Sequence, residues 1–361
     1  MNRWRREWVQ VCERMYALFE VRVAKPKLAI MRLPNAQIAE MLGMMKFELE
    51  YHEKELSPKQ LKLMKDTMTK VVRCSNVHVP KISPFYIPSA DLELGEHHEA
   101  VKDTSCEVKR GVYDQGTRLV AQYMSADDRY ARQLFWSATT MWHGFQHANV
   151  AKILGESLVE TEPFVVWEDG AIYGNFIHYF ADEHELYQKR LWRMFLQAGH
   201  GLNYIHQQGK SHGSLKCSHI LVAEDGTPKI CHFDLSKKRV GAIDRWKGPE
   251  YNLGKGLDPS KAGDVYAFGL CIIEARTGDI PYGLDCDESI KSQLEELDCY
   301  PRPDGLRDDE WNVVRRFVAH KPEDRPTMAQ AIEMIEELAW KEALEDTDNC
   351  KTALENCRTD V

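Results

Sequence analysis

A chain of 361 residues with 43% hydrophobic and 29% charged side chains holds enough apolar material for a sizeable core, which excludes a disordered or fibrous protein. Its formal charge of -9, with no basic tail or patch expected, argues against a nucleic-acid binder, because neutralising phosphates takes clustered Lys and Arg. No run of 18 apolar residues occurs, so no membrane span is expected; the ten cysteines contain no C-x-x-C pair and read as thiols of a reducing compartment, which predicts a cytoplasmic protein.

Residues 1–78 read as a helical region. Trp4, Trp8, Val11, Met15, Leu18 and Phe19 recur at helical spacing, and Pro26 and Pro34 break that pattern. Asn35 opens a second helix carrying Ile38, Leu42, Met45 and Leu49. Ser57 followed by Pro58 forms a cap and first-turn pair for a third, with Leu61, Met64, Met68, Val71 and Val72. Pro80, Pro84 and Pro88 mark residues 79–89 as an extended linker, since proline and the residue before it disfavour helix. Short β-like runs follow at Leu92 to Leu94, Glu107 to Tyr113, Arg118 to Met124, Val150 to Gly155 and Phe164 to Trp167. Long helical patterns begin near residue 183. Strands first and helices second is the order of an α+β fold with segregated lobes. Residues 341–361 are polar and acidic and are expected to form a fraying tail.

Five segments in order carry a resemblance. They are His212-Gly213-Ser214-Leu215-Lys216-Cys217-Ser218-His219 after Tyr204-Ile205-His206, then His232-Phe233-Asp234, Lys247-Gly248-Pro249-Glu250, Asp264-Val265-Tyr266-Ala267-Phe268-Gly269, and Lys321-Pro322-Glu323-Asp324-Arg325-Pro326. Together they resemble the catalytic loop, magnesium loop, A-P-E element, central helix and late Arg-Pro segment of protein kinases. Ile87-Pro88, Asp91-Leu92, Trp246 and the Asp264 segment lean toward the tyrosine-kinase-like branch. The resemblance covers about residues 88 to 340. It implies a bilobal fold over 90–340, with a small β-rich lobe to about 168 and a larger helical lobe from about 169. It also implies structural roles: an ion pair between Glu250 and Arg325, Asp264 accepting hydrogen bonds from the backbone near His212, His212 stacked with Phe233, and Lys216 in its family position.

The same alignment implies that the chemistry is lost. Gln122 stands in Val120-Ala121-Gln122 where the family's phosphate-pairing lysine belongs, and Ala138 where that lysine's glutamate partner belongs. The three glycines of the phosphate-covering loop fall at Val101, Asp103 and Cys106, which cannot bring backbone N–H groups close to phosphate as glycine does. Ser214 replaces the catalytic aspartate, and a serine hydroxyl is too weak a base at neutral pH. His219 and His232 replace the magnesium ligands, yet Mg²⁺ takes oxygen donors, so no metal is expected. Val108, Ala121 and Leu221 keep an apolar adenine pocket in this reading, with Trp167 as a bulky gatekeeper. No cofactor is expected beyond weak, magnesium-independent ATP binding. The expectation is a pseudokinase acting as a scaffold or allosteric regulator on other proteins, such as an active kinase or signalling component. The alternative is a degenerate, ATP-binding serine/threonine kinase of the tyrosine-kinase-like group.

Overall fold

The computed structural model describes residues 34–78, 82–89, 92–99, 107–113, 116–123, 139–157, 163–169, 173–181, 189–231, 243–254, 258–296 and 300–359. The chain divides into two compact units, Met1–Gly144 with Lys152–Asp169 and Phe145–Ala151 with Gly170–Val361. The architecture is α+β, with a five-stranded sheet in the first unit and mainly helices in the second. Among the described residues no helix is long and apolar enough to cross a membrane. The helix expected over residues 4–19 lies outside the described residues.

The first unit begins with α1 (Asn35–Tyr51) and α2 (Pro58–Ser75). Ser57 Oγ accepts from the Gln60 N–H at 3.3 Å while Gln60 Oε1 accepts from the Ser57 N–H at 3.0 Å, a reciprocal cap that satisfies donors the helix leaves open. Asn76, at φ 55°, ends α2 in the left-handed region. Ile38, Leu42 and Val71 form one buried seam of the pair, and Met45 with Met64 another.

The sheet comprises β1 (Glu93–Glu99), β2 (Glu107–Tyr113), β3 (Thr117–Tyr123), β4 (Ile153–Ser157) and β5 (Phe164–Glu168), ordered β1-β2-β3-β5-β4. The strand at residues 150–155 therefore starts three residues later than the spacing suggested. Residues 82–89, expected as a linker, lie along the free edge of β4. The Ile87 N–H donates to Glu156 O and the Glu156 N–H to Phe85 O, both at 3.0 Å. Neither bond draws on Pro84 or Pro88, so the prolines that break a helix are tolerated here, and the sheet edge is covered. Gly155 permits the close approach: a Cβ there would sit 2.5 Å from the Ile87 side chain and the Phe85 carbonyl oxygen. On their other side Ile82 and Tyr86 pack against Ala39, Met44 and Phe47 of α1.

The second unit contains α3 (Phe176–Ala181), α4 (Leu191–Gln207), a hairpin of β6 (Ile220–Val222) and β7 (Pro228–Ile230), α5 (Pro249–Asn252), α6 (Lys261–Thr277), α7 (Asp287–Glu296), α8 (Asp308–Phe317) and α9 (Met328–Thr359). Helix α6 is buried along most of its length, starting at a Ser260 hydroxyl that accepts from the Gly263 N–H and ending at Gly278 with φ 75°. Phe268 at its middle meets Phe195 and Phe317, which ties α4 and α8 to it. A helix buried all round is the expected place for so continuous an apolar sequence.

The tail expected from residue 341 is instead the continuation of α9. Its Glu342 is buried and accepts hydrogen bonds from the N–H groups of Trp192 and Arg193, at 3.0 and 3.1 Å, and from Arg193 Nε at 3.1 Å. The flanking residue Arg190 offers α4 no side-chain cap, so Glu342 supplies one from a distant helix. Glu342→Ala should lower stability by about 1–3 kcal/mol, the cost of stranding buried donors. A shift of the urea midpoint at constant m would measure it.

Candidate functional site

In the first unit, β3 is flanked by β2 and β5 with Gln122 opposite Val108 and Val165, and Val120 opposite Trp167. Strand alternation therefore places Val120, Gln122, Val165 and Trp167 on one face. Leu119, Ala121, Tyr123, Phe164 and Val166 take the other, where they pack with Ile87 and Leu92. Ala121 is consequently not a wall of any pocket shared with Gln122 and Trp167, contrary to the sequence expectation: adjacent residues of a strand cannot share a face, and Val120 occupies that position. Lys109, paired with Ala121, lies on the same far face, its Nζ 4.5 Å from the Tyr123 ring centroid.

The Gln122 side chain is buried against an indole. It is 4% exposed and Trp167 6%, and Trp167 Nε1–H donates to Gln122 Oε1 at 3.3 Å. Trp142, fully buried, stands edge-on to the Trp167 indole with centroids 5.6 Å apart. The chain places a neutral amide at this position, and the amide oxygen has an indole N–H as donor.

The second unit holds the loop from residue 211 to 219. Asp264 fixes it from the first turn of α6, accepting the His212 N–H on Oδ2 and the Gly213 N–H on Oδ1, both at 2.7 Å, and His206 Nε2–H at 2.8 Å. His212 Nδ1 accepts from the Ser214 N–H at 3.2 Å while its Nε2–H donates to Cys231 O at 3.2 Å, an arrangement that requires neutral imidazole. His219 is buried, and its Nδ1–H donates to the Ser214 carbonyl at 2.6 Å. The Ser214 hydroxyl is buried and has no hydrogen-bond partner among the described residues. Gly213 has φ 79°, and a Cβ there would strike Pro259 at 2.6 Å. Leu221 sits in β6, bridged to Asn175. Arg325 donates to both oxygens of Glu250 at 2.7 and 2.8 Å and lies over the Tyr266 ring at 4.7 Å.

The family profile described as protein tyrosine and serine/threonine kinase matches residues 102–335. The chain belongs to this protein kinase family. A probable serine/threonine-protein kinase of Dictyostelium discoideum is 27% identical over 289 residues, covering 78% of this chain and 20% of the relative. The tyrosine-protein kinase transforming protein Abl of Abelson murine leukemia virus is 25% identical over 254 residues, covering 66% and 34%. Cysteine-rich receptor-like protein kinase 7 of Arabidopsis thaliana is 24% identical over 208 residues, covering 53% and 31%. The kinase-like chain thus spans only a fifth to a third of the length of these relatives.

Several expected positions of the kinase domain, Ala138, His232, Phe233 and the glycine-loop positions Val101, Asp103 and Cys106, fall outside the described residues. Lys216 lies over Trp246, with Nζ 4.9 Å from the ring, and Trp246 Nε1–H donates to Glu274 at 3.0 Å. Among the described residues one group has metal-ligand spacing, Cys217, Cys271 and Glu274, with ligand atoms within 4.8 Å of one another. Burial pushes both thiols up, Cys217 far up, and also raises Glu274. The Cys217 thiol donates to Cys271 O, so these are protonated packing groups and not thiolate ligands. The sequence reading missed a charged surface. Lys59, Lys62, Lys70 and Arg73 are exposed along one side of α2, with Asp66 the one acid among them, away from its buried Met64, Thr67 and Val71. The charges are segregated: residues 1–78 hold 15 Lys and Arg against 9 Asp and Glu, the rest 32 against 47.

Proposed function

We propose that this chain is a catalytically inactive protein kinase domain of the tyrosine-kinase-like branch, acting as a scaffold or allosteric regulator through protein contacts. The bond between Trp167 and Gln122 carries the reading. Phosphoryl transfer rests on positioning and charge, and the position that should hold a cation for phosphates holds a neutral amide already committed to an indole. Ser214 and His219 support it: the hydroxyl is too weak a base, and the imidazole is engaged with the Ser214 carbonyl rather than offering the oxygen that Mg²⁺ requires. The basic side of α2 suits an acidic protein partner.

Purified chain should show no phosphate transfer to protein acceptors with Mg²⁺ and ATP, and no rise in melting temperature with the same ligands. Gln122→Lys alone should leave it silent, because the base and metal positions stay unfilled. Metal-dependent labelling abolished by Ser214→Ala would overturn the proposal in favour of a degenerate serine/threonine kinase. A thermal shift with ATP but without metal would support the weaker reading of magnesium-independent nucleotide binding.

A further inference from the structure

Residues 82–89 are held on the sheet edge by the backbone of one residue, Glu156, whose side chain is 1% exposed. Its Oε2 and the hydroxyls of Ser83 and Ser157 are shut off from solvent and have no hydrogen-bond partner among the described residues. Among the described residues, the titratable and charged groups on the packed elements are Glu40, Lys46, Glu48, Glu50 and Tyr51 of α1, the last donating to Ile82 O at 3.4 Å, Tyr86 of the covering segment, His143 stacked on Phe85, Lys152 before β4 and Glu168 of β5. None of them sets the state of Glu156. Glu40 is bound to Ser89 and Glu48 to His52, and His143 is held below its ordinary value by burial and by Lys152. Burial alone dominates, raising the carboxyl to about 7, while the Ser83 hydroxyl eases the rise from outside good hydrogen-bond geometry.

A carboxylate sealed off without a cation is unfavourable; the neutral acid is not. We propose that Glu156 is a proton-operated latch: neutral, it lets residues 82–89 and α1 behind them lie on the edge of β4, and ionised, it drives them off. For a carboxyl raised on burial, the covered form is fully favoured below the ordinary value of 4.5, and that advantage is lost as pH climbs through about 7. Between pH 6 and pH 8 the covering equilibrium should weaken about tenfold. The latch is independent of whether the domain transfers phosphate.

Native-state hydrogen exchange of the whole chain tests this at the amides of Ile87 and Glu156, with α6 amides as the reference. After correction for intrinsic exchange, their protection should fall about tenfold from pH 6 to pH 8 while α6 holds steady. In Glu156→Gln it should stay level. Flat protection in the unmodified chain, the same fall in Glu156→Gln, or a parallel fall in α6 would each overturn the latch. If Glu156→Gln fails to fold, a carbon-13 titration of the Glu156 carboxyl decides: a midpoint near 7 supports the proposal, and one near 4.5 overturns it.

Discussion

Arg325→Ala is expected to remove about 3–5 kcal/mol of stability, the largest effect of any single change considered. The Arg325 side chain is fully buried, and besides Glu250 its donors serve the carbonyls of Ala262, Ala319 and His320, at 3.1, 2.8 and 2.9 Å. Removing it strands the Glu250 carboxylate and three carbonyls together, which is why the loss exceeds that of a surface pair. Replacing Arg325 and Glu250 together by apolar residues should cost less than the two single losses summed, because no charge is then left alone. Urea unfolding of the four proteins in the cycle would measure this; additive losses would contradict it.

Asp264→Ala should cost about 3 kcal/mol or more, since two buried donors and one partly buried donor lose their acceptor at roughly 1–3 kcal/mol each, partly offset by relaxation. The His212 and Gly213 amides, which point at its two oxygens, should lose exchange protection first. Asp264→Asn keeps one acceptor oxygen and should lose less. Equal losses for Ala and Asn would mean that the loop is held by something other than these bonds.

Much of this architecture is legible in local sequence. Ser57, Pro58 and Gln60 announce the start of α2 because capping needs only neighbours in the chain, and the run Glu107 to Tyr113 reads as a strand for the same reason. The loop near His212 and the Glu250 to Arg325 pair are legible from motif order, although the partners lie far apart in sequence. The side of β3 that Ala121 faces was also within reach: period-two alternation rules out Ala121 and Gln122 together, but the motif comparison overrode it. What could not be read locally are contacts that join distant segments. The covering of β4 by residues 82–89 needs a strand some seventy residues away, and nothing in Glu342 itself points to the first turn of α4. The basic side of α2 was hidden by averaging charge over the chain, since the acidic remainder outweighs it.

The family match ends at residue 335, but the folded body of the second unit does not. A shortened chain that stopped at residue 340 would keep each recognisable signature from His212 to Arg325 and still lose the acceptor that closes the first turn of α4. Where the sequence signatures end and where the cooperative body ends are, in this protein, different places.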